Sequence, residues 1–266
     1  MKKNIEHFVK YPKIPYIDET NISGHEGYTF EKIDGSLTQV RKIRGNLVGG
    51  SKANYLDNVN AAKSPWMSDF LKWMYSNHSL YKLPEKVIMY GEWLEPITVE
   101  YYPENLKKFY FIDLAFIEGK KPIFYDYEEA RGYLDDWGIE NVVVLDPIEK
   151  GFFDYNSIIN NLENYRGKLG PEIEGIVLKN YKLQLFAKSL NQKYSEIRSQ
   201  AQTLEGKYIN KSRINKSIKR LKDSGKEPLI DDIVDDILKD IKEESNIDFN
   251  PVAIRSLIKL HNYVRN

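Results

Sequence analysis

The strongest constraint on the fold is the place where strand-forming sequence stops. Short runs rich in β-branched and aromatic residues recur at 27–33, 38–44, 47–50, 87–93, 109–117, 123–125, 142–145, 172–178 and 183–188. The first three are close enough to be successive antiparallel strands, with a turn at Gly45-Asn46. Beyond Tyr194 no such run follows. Apolar residues fall instead at helical spacing over 211–222, 229–241 and 251–264, where Ile233, Val234, Ile237, Leu238 and Ile241 define one face. Helix is also predicted within 53–77, restarted at Pro65, and over 154–165. Pro12 and Pro15 break any long helix in the lead-in before residue 27. The pattern predicts an α+β chain: antiparallel sheets with helices over 1–203, then a small all-helical domain over 204–266. A length of 266 residues is enough for one large core plus a smaller one.

Composition removes several kinds of chemistry. There is no cysteine, which excludes disulfides, thiolate zinc sites and cysteine nucleophiles. His7, His25, His78 and His261 are far apart and show no metal-ligand spacing. The 39 basic and 39 acidic residues balance, so any attraction to nucleic acid must be local. No apolar run follows the first lysines and no window approaches a membrane span. A cytoplasmic monomer is expected.

The run 27–33 ends in Glu31-Lys32-Ile33-Asp34-Gly35-Ser36. A lysine fixed at a strand end can have its stem buried and its amine held still, and burial lowers its pKa. A neutral lysine is a nucleophile. The bland alternatives are a solvated lysine and a hairpin Asp-Gly turn. Later strand runs place further groups in order. Tyr90-Gly91-Glu92-Trp93 ends in a carboxylate, and Phe111-Ile112-Asp113-Leu114 carries an aspartate in an apolar run. Glu174-Gly175-Ile176-Val177-Leu178-Lys179 sets a glutamate against apolar neighbours, where an unpaired charge is costly. Leu185-Phe186-Ala187-Lys188 ends the series.

These five segments, in this order, resemble motifs I, III, IIIa, IV and V of the covalent nucleotidyltransferases: DNA ligases, RNA ligases and mRNA capping enzymes. The resemblance spans about the first 195 residues. The stretch from Lys188 to Lys193-Tyr194-Ser195-Glu196 is most similar to the RNA ligase 2 type. It implies an ATP-grasp-like ligase domain in which Lys32 attacks the α-phosphorus of ATP and carries AMP. It also implies that Asp34 positions the metal-bound phosphate or the attacking hydroxyl, that Glu92 accepts from a ribose hydroxyl, and that Glu174 helps hold Mg2+. Lys188 would face the α-phosphate. Glu31, Ile112 and Lys179 would lie along the nucleotide. Lys52 stands where relatives place an arginine that touches phosphate, and Arg44 competes for that role.

Two positions depart from the family pattern. Motif V usually has two lysines one residue apart, and the first is Phe186 here; Lys179 or Lys182 is left to supply that charge. Motif IIIa usually has an aromatic before its aspartate, and here that position is Ile112, with Phe111 expected on the other strand face.

Capping enzymes and DNA ligases continue into a β-barrel, for which the residues after Tyr194 provide no strands. Lys207, Lys211, Arg213, Lys216, Lys219, Arg220 and Lys222 form a basic stretch, and Lys216, Lys219 and Arg220 share a helix face that could track an RNA backbone. A solvated face offset by Asp231, Asp232, Asp235 and Asp236 is the alternative. The expected activity is ATP-dependent sealing of RNA 5′-phosphate and 3′-hydroxyl ends. The rivals are a DNA ligase, a capping-type guanylyltransferase, or a non-catalytic RNA-binding protein on a decayed ligase scaffold.

Overall fold

The computed structural model describes residues 7–52, 54–57, 65–95, 97, 99–191, 194, 209, 211–245 and 249–260. The chain divides into two compact units, Met1–Asn191 and Gln192–Asn266. The boundary expected at 203/204 lies outside the described residues.

The first unit is built on two antiparallel sheets. One has the order β7-β1-β8-β9, from Glu149–Phe152, Glu26–Glu31, Gly175–Asn180 and Leu185–Leu190. The other has the order β3-β2-β4-β5-β6, from Asn46–Ser51, Ser36–Ile43, Val87–Trp93, Phe109–Glu118 and Lys121–Phe124. Alternation along the strands sorts the side chains into layers. Met89, Trp93, Phe109 and Phe111 form one core with Phe70, Leu71 and Met74 of helix α1 (Pro65–Ser76) and Ala130 and Leu134 of α2 (Tyr127–Asp136). Ile88, Tyr90 and Ala115 face the other way, against Tyr28 and Phe186 of the four-stranded sheet. The far side of that sheet, through Ile176, Leu178 and Ala187, is covered by Ile158 of α3 (Tyr155–Asn161) and by Leu162. The order is therefore helices, sheet, sheet, helix. The site is set where the two sheets face one another.

Local chemistry explains the departures from the sequence reading. The β2–β3 turn is centred on Arg44-Gly45, not Gly45-Asn46: Ile43 pairs with Asn46, and both central residues have positive φ, 50° and 77°. Such a turn matches strand twist, and glycine adopts it without strain. Residues 142–145 do not form a strand. Val143 makes a single parallel bridge to Tyr110, with its N–H donating to Phe109 O and its O accepting from Phe111 N–H. Helix α2 and strand β7 were not expected; α2 starts at Asp126, whose carboxylate accepts from Glu128 N–H. The predicted helix over 154–165 ends at Asn161 and passes into a 3-10 turn at Leu162–Asn164. Of the helix predicted within 53–77, residues 53 and 58–64 lie outside the described residues.

The second unit has helices α4 (Lys211–Asp223), α5 (Ile230–Ser245) and α6 (Pro251–Leu260). Ile233, Val234, Ile237 and Ile241 pack with Ile214, Leu221, Phe249, Ile254 and Ile258, and Leu238 is partly buried beside them. Among the described residues this unit has no strand.

Candidate active site

Lys32 is the first residue beyond β1. Its N–H still donates to Gly175 O at 2.9 Å, so the ladder continues one step past the strand. That bond fixes the direction of the side chain. The ammonium lies 2.5 Å from Glu174 Oε2, with side-chain exposures of 18% for Lys32 and 1% for Glu174. Glu174 immediately precedes β8, the neighbour of β1. The two groups are therefore brought together by strand pairing across 142 residues of sequence.

Asp34 sits in the turn between β1 and β2. Its carboxylate accepts from Val99 N–H at 3.0 Å, and its own N–H donates to the Tyr101 hydroxyl at 2.7 Å. Glu92 comes from β4, on the face shared with Ile88 and Tyr90. Burial pushes its carboxyl up to about 8; Asp34 and Glu174 add to the rise, while Lys32 and the Gly35 amide hold it back. Through these interactions Lys32, Asp34, Glu92 and Glu174 form one electrostatic cluster. The arrangement can hold an amine beside one buried carboxylate, with a second carboxyl that is largely neutral near pH 7.

The sequence profile of the RNA ligase family matches residues 26–194. The chain belongs to that family. A comparison with curated proteins gives no match. Among solved structures, the chain is similar to the RNA ligase of Naegleria gruberi. A ligand-free lysine-to-alanine mutant of that ligase aligns with TM-score 0.55 and 18% identity, covering 72% of this chain and 58% of that one. Another lysine-to-alanine mutant, with ATP and Mn, gives 0.54 and 18%, covering 72% and 59%. This chain thus spans under two thirds of those ligases' length. At such identity the likeness establishes the fold.

The other residues expected in this RNA ligase family site are distributed as follows. Glu31 ends β1 but turns to the Lys168 N–H, 2.8 Å from Oε2, and burial raises its carboxyl. Lys188 pairs across with Val177, and Val177 with Phe30, so strand alternation puts Lys188 on the sheet face of Lys32. Its ammonium is 4.7 Å from the Tyr16 ring centre. Lys179 is on that same face but is not free to supply the missing motif V charge. It is buried, 2.8 Å from Asp113 Oδ2 and 3.0 Å from Ile112 O. Asp113 also accepts from the hydroxyls of Tyr11 and Tyr181.

Ile112 is the extra residue of a β-bulge, because Tyr90 pairs with Asp113 and Gly91 with Phe111. Phe111 lies in the opposite core, as its alternation implied. Lys52 follows β3 and is exposed; Arg44 is a turn residue. Arg220 bonds Asp236 and Asp240 of α5, so part of the expected basic face is neutralised within its own unit. Lys216 and Lys219 lie on α4, and their side chains are outside the described residues.

Sequence reasoning missed Tyr101, Lys168 and the tyrosines around Asp113. They lie in loops or far away in sequence, and no local pattern marks them.

Proposed function

We propose that this chain is an ATP-dependent RNA ligase that joins 5′-phosphate and 3′-hydroxyl RNA ends through a lysyl-AMP intermediate. One observation carries the reading: in an RNA ligase family fold, the Lys32 amine is held against buried Glu174 within a cluster that includes Asp34 and Glu92. Attack on the α-phosphorus of ATP needs the nitrogen lone pair, so the ammonium must first give up a proton. Glu174, at 2.5 Å, holds and orients the amine, and the proton passes to solvent water. The N–P bond then forms as the bond to the β-phosphate oxygen breaks, and pyrophosphate leaves. AMP passes from Lys32 to an RNA 5′-phosphate, and a 3′-hydroxyl displaces it to make the phosphodiester.

Asp34 is rigidly placed two residues from the amine and is the carboxylate we assign to positioning. Lys188, on the same sheet face, is assigned to charge that develops on the α-phosphate. Glu92 is assigned to the ribose, Ile112 to the base, and Glu31 and Lys52 to flanking contacts.

The donor set suits a hard divalent cation. The candidate ligand is the buried Glu174 carboxylate, and Mg2+ takes one or two carboxylates together with waters and phosphate oxygens. With Glu174 as its protein ligand, such an ion would neutralise triphosphate charge during transfer. Support for ATP comes from the resemblance and from the Naegleria mutant solved with ATP and Mn. We further propose domains at 1–203 and 204–266, with Lys216 and Lys219 on the RNA side of the second and Arg220 joining them only on release from Asp236 and Asp240. We also propose a cytoplasmic monomer. No helix among the described residues is long and apolar enough to cross a membrane.

The test is to incubate the protein with α-labelled ATP or GTP and magnesium, then denature it. Protein-bound label from ATP, absent in Lys32→Ala, is expected. Label from GTP alone would favour capping chemistry. No label from either would favour an RNA-binding scaffold, a reading to which Phe186 and Ile112 lend weight.

A further inference from the structure

The Lys32 turn is held from both sides by loops that sequence does not connect to it. On one side, Glu31 Oε2 accepts from Lys168 N–H at 2.8 Å. On the other, Asp34 is gripped twice, by Val99 N–H on its carboxylate and by the Tyr101 hydroxyl on its N–H. The two holding loops are tied to each other. Tyr102 N–H and Asn105 Nδ2 both donate to Leu169 O at 2.9 Å. Gly170 packs so closely that a Cβ there would lie 2.2 Å from Glu100 O. A ring of contacts thus runs from Glu31 through 168–170 and 99–105 to Asp34, with residue Lys32 between its two ends.

Within this ring, Tyr101 reaches the Lys32 turn from 99–105 with its side chain. Its ring is buried and its hydroxyl is kept protonated, chiefly by burial and also by the Glu31 and Glu174 carboxylates nearby. A neutral phenol can accept the Asp34 N–H without adding charge beside Lys32. We infer that Tyr101 is a positioning residue for lysine adenylylation, acting through Asp34. This rests on Lys32 as the nucleophile. Displacement of reacting groups by an ångström is enough to cost on the order of 100-fold in rate.

The experiment compares wild type with Tyr101→Phe in the full chain. At saturating ATP and magnesium, the single-turnover rate of protein labelling should fall roughly 10- to 100-fold, with KM for ATP changed less than about 2-fold. In an Asp34→Ala background, where residue 34 keeps the N–H that Tyr101 accepts but lacks the carboxylate it positions, Tyr101→Phe should add no further loss. Gly170→Ala, which must push Glu100 away, should reproduce the defect from a position with no side-chain bond to the turn. An unchanged rate, or a loss that multiplies with Asp34→Ala, overturns the inference.

Amide exchange in the ligand-free protein provides a readout that does not need activity. The amides of 32–35 should exchange at least about 10-fold faster in Tyr101→Phe, while those of 175–180 keep their protection. No change at 32–35, or an equal loss across the unit, overturns the inference even if wild type takes no label. Absence of label from wild type alone counts against the proposed function, and the brace is then decided by exchange.

Discussion

Two lysine–carboxylate pairs stand on one face of the four-stranded sheet, and they are built to opposite purposes. Lys179 and Asp113 have side-chain exposures of 4% and 0%. Two tyrosine hydroxyls complete the aspartate, and the rings of Phe30, Tyr181 and Phe186 lie within 6 Å of the ammonium. Lys32 and Glu174 are also paired, yet Lys32 keeps 18% exposure and its stem leaves the sheet at a strand end. An ion pair alone therefore does not set the proposed nucleophile apart. Lys32 differs in the access left to its amine and in its carboxyl-rich rim, whereas the Lys179 ammonium is fully enclosed and multiply bonded. Lys179 has burial alone pushing its pKa down and Asp113 pulling it back up. That balance locks it in place.

The largest expected effect separates the two ends outright. Lys32→Ala should abolish protein-bound label, while Lys179→Met should retain the chemistry in whatever fraction stays folded. Stability should move in the opposite sense. Removing Lys179 leaves Asp113 charged in a closed site, which costs about 3–5 kcal/mol. Urea unfolding of both variants checks this. A Lys179→Met protein within about 1 kcal/mol of wild type would break the contrast, since an exposed pair loses no more than that.

A somewhat smaller loss is expected from restoring the family's lysine. Strand register sets Tyr28, Lys179 and Phe186 in one row across β1, β8 and β9. Phe186 also meets Phe124 and Tyr181 edge to face, at 5.0 and 5.5 Å. Phe186→Lys would give up that packing and place a second ammonium opposite Lys179. A destabilisation of roughly 3 kcal/mol is expected, without faster adenylylation. If the variant instead labels faster at unchanged stability, the Lys179 end belongs to the catalytic site and the comparison fails.

What the sequence made legible follows the same division. Period-two runs and the Lys32, Glu92 and Glu174 segments were readable because strand ends put those groups at the chain's own punctuation. The helical tail was readable from one continuous apolar face. The role of Lys179 was not, because it depends on Tyr11 and Asp113, which lie 168 and 66 residues away in numbering and meet it only through the facing of two sheets. Strand 142–145 was misread because its Val run is apolar enough for a strand, yet only Val143 finds a partner. Tyr101 had no signal at all, since a hydroxyl that holds a turn leaves no periodic trace.

The smallest effect expected concerns Glu92, which belongs to the open end. Its folded carboxyl titrates at about 8, against 4.5 for an ordinary glutamate. The folded protein therefore keeps a proton that the unfolded chain has released. Native stability contributed by this group is whole below pH 4.5, declines between 4.5 and 8, and is lost above 8. Glu92→Gln, fixed in the neutral form, removes that decline. The full shift corresponds to about 5 kcal/mol; because the group is only part-buried and water screens it, roughly 2 kcal/mol is expected at pH 9. Melting curves of both proteins from pH 4 to 9 should coincide at the acid end and diverge in favour of the glutamine variant as pH rises. A constant gap across that range would mean that the carboxyl is not desolvated by the cluster. The open end would then be as wet as the surface, and Lys32 would stand in the wrong environment for the role assigned to it.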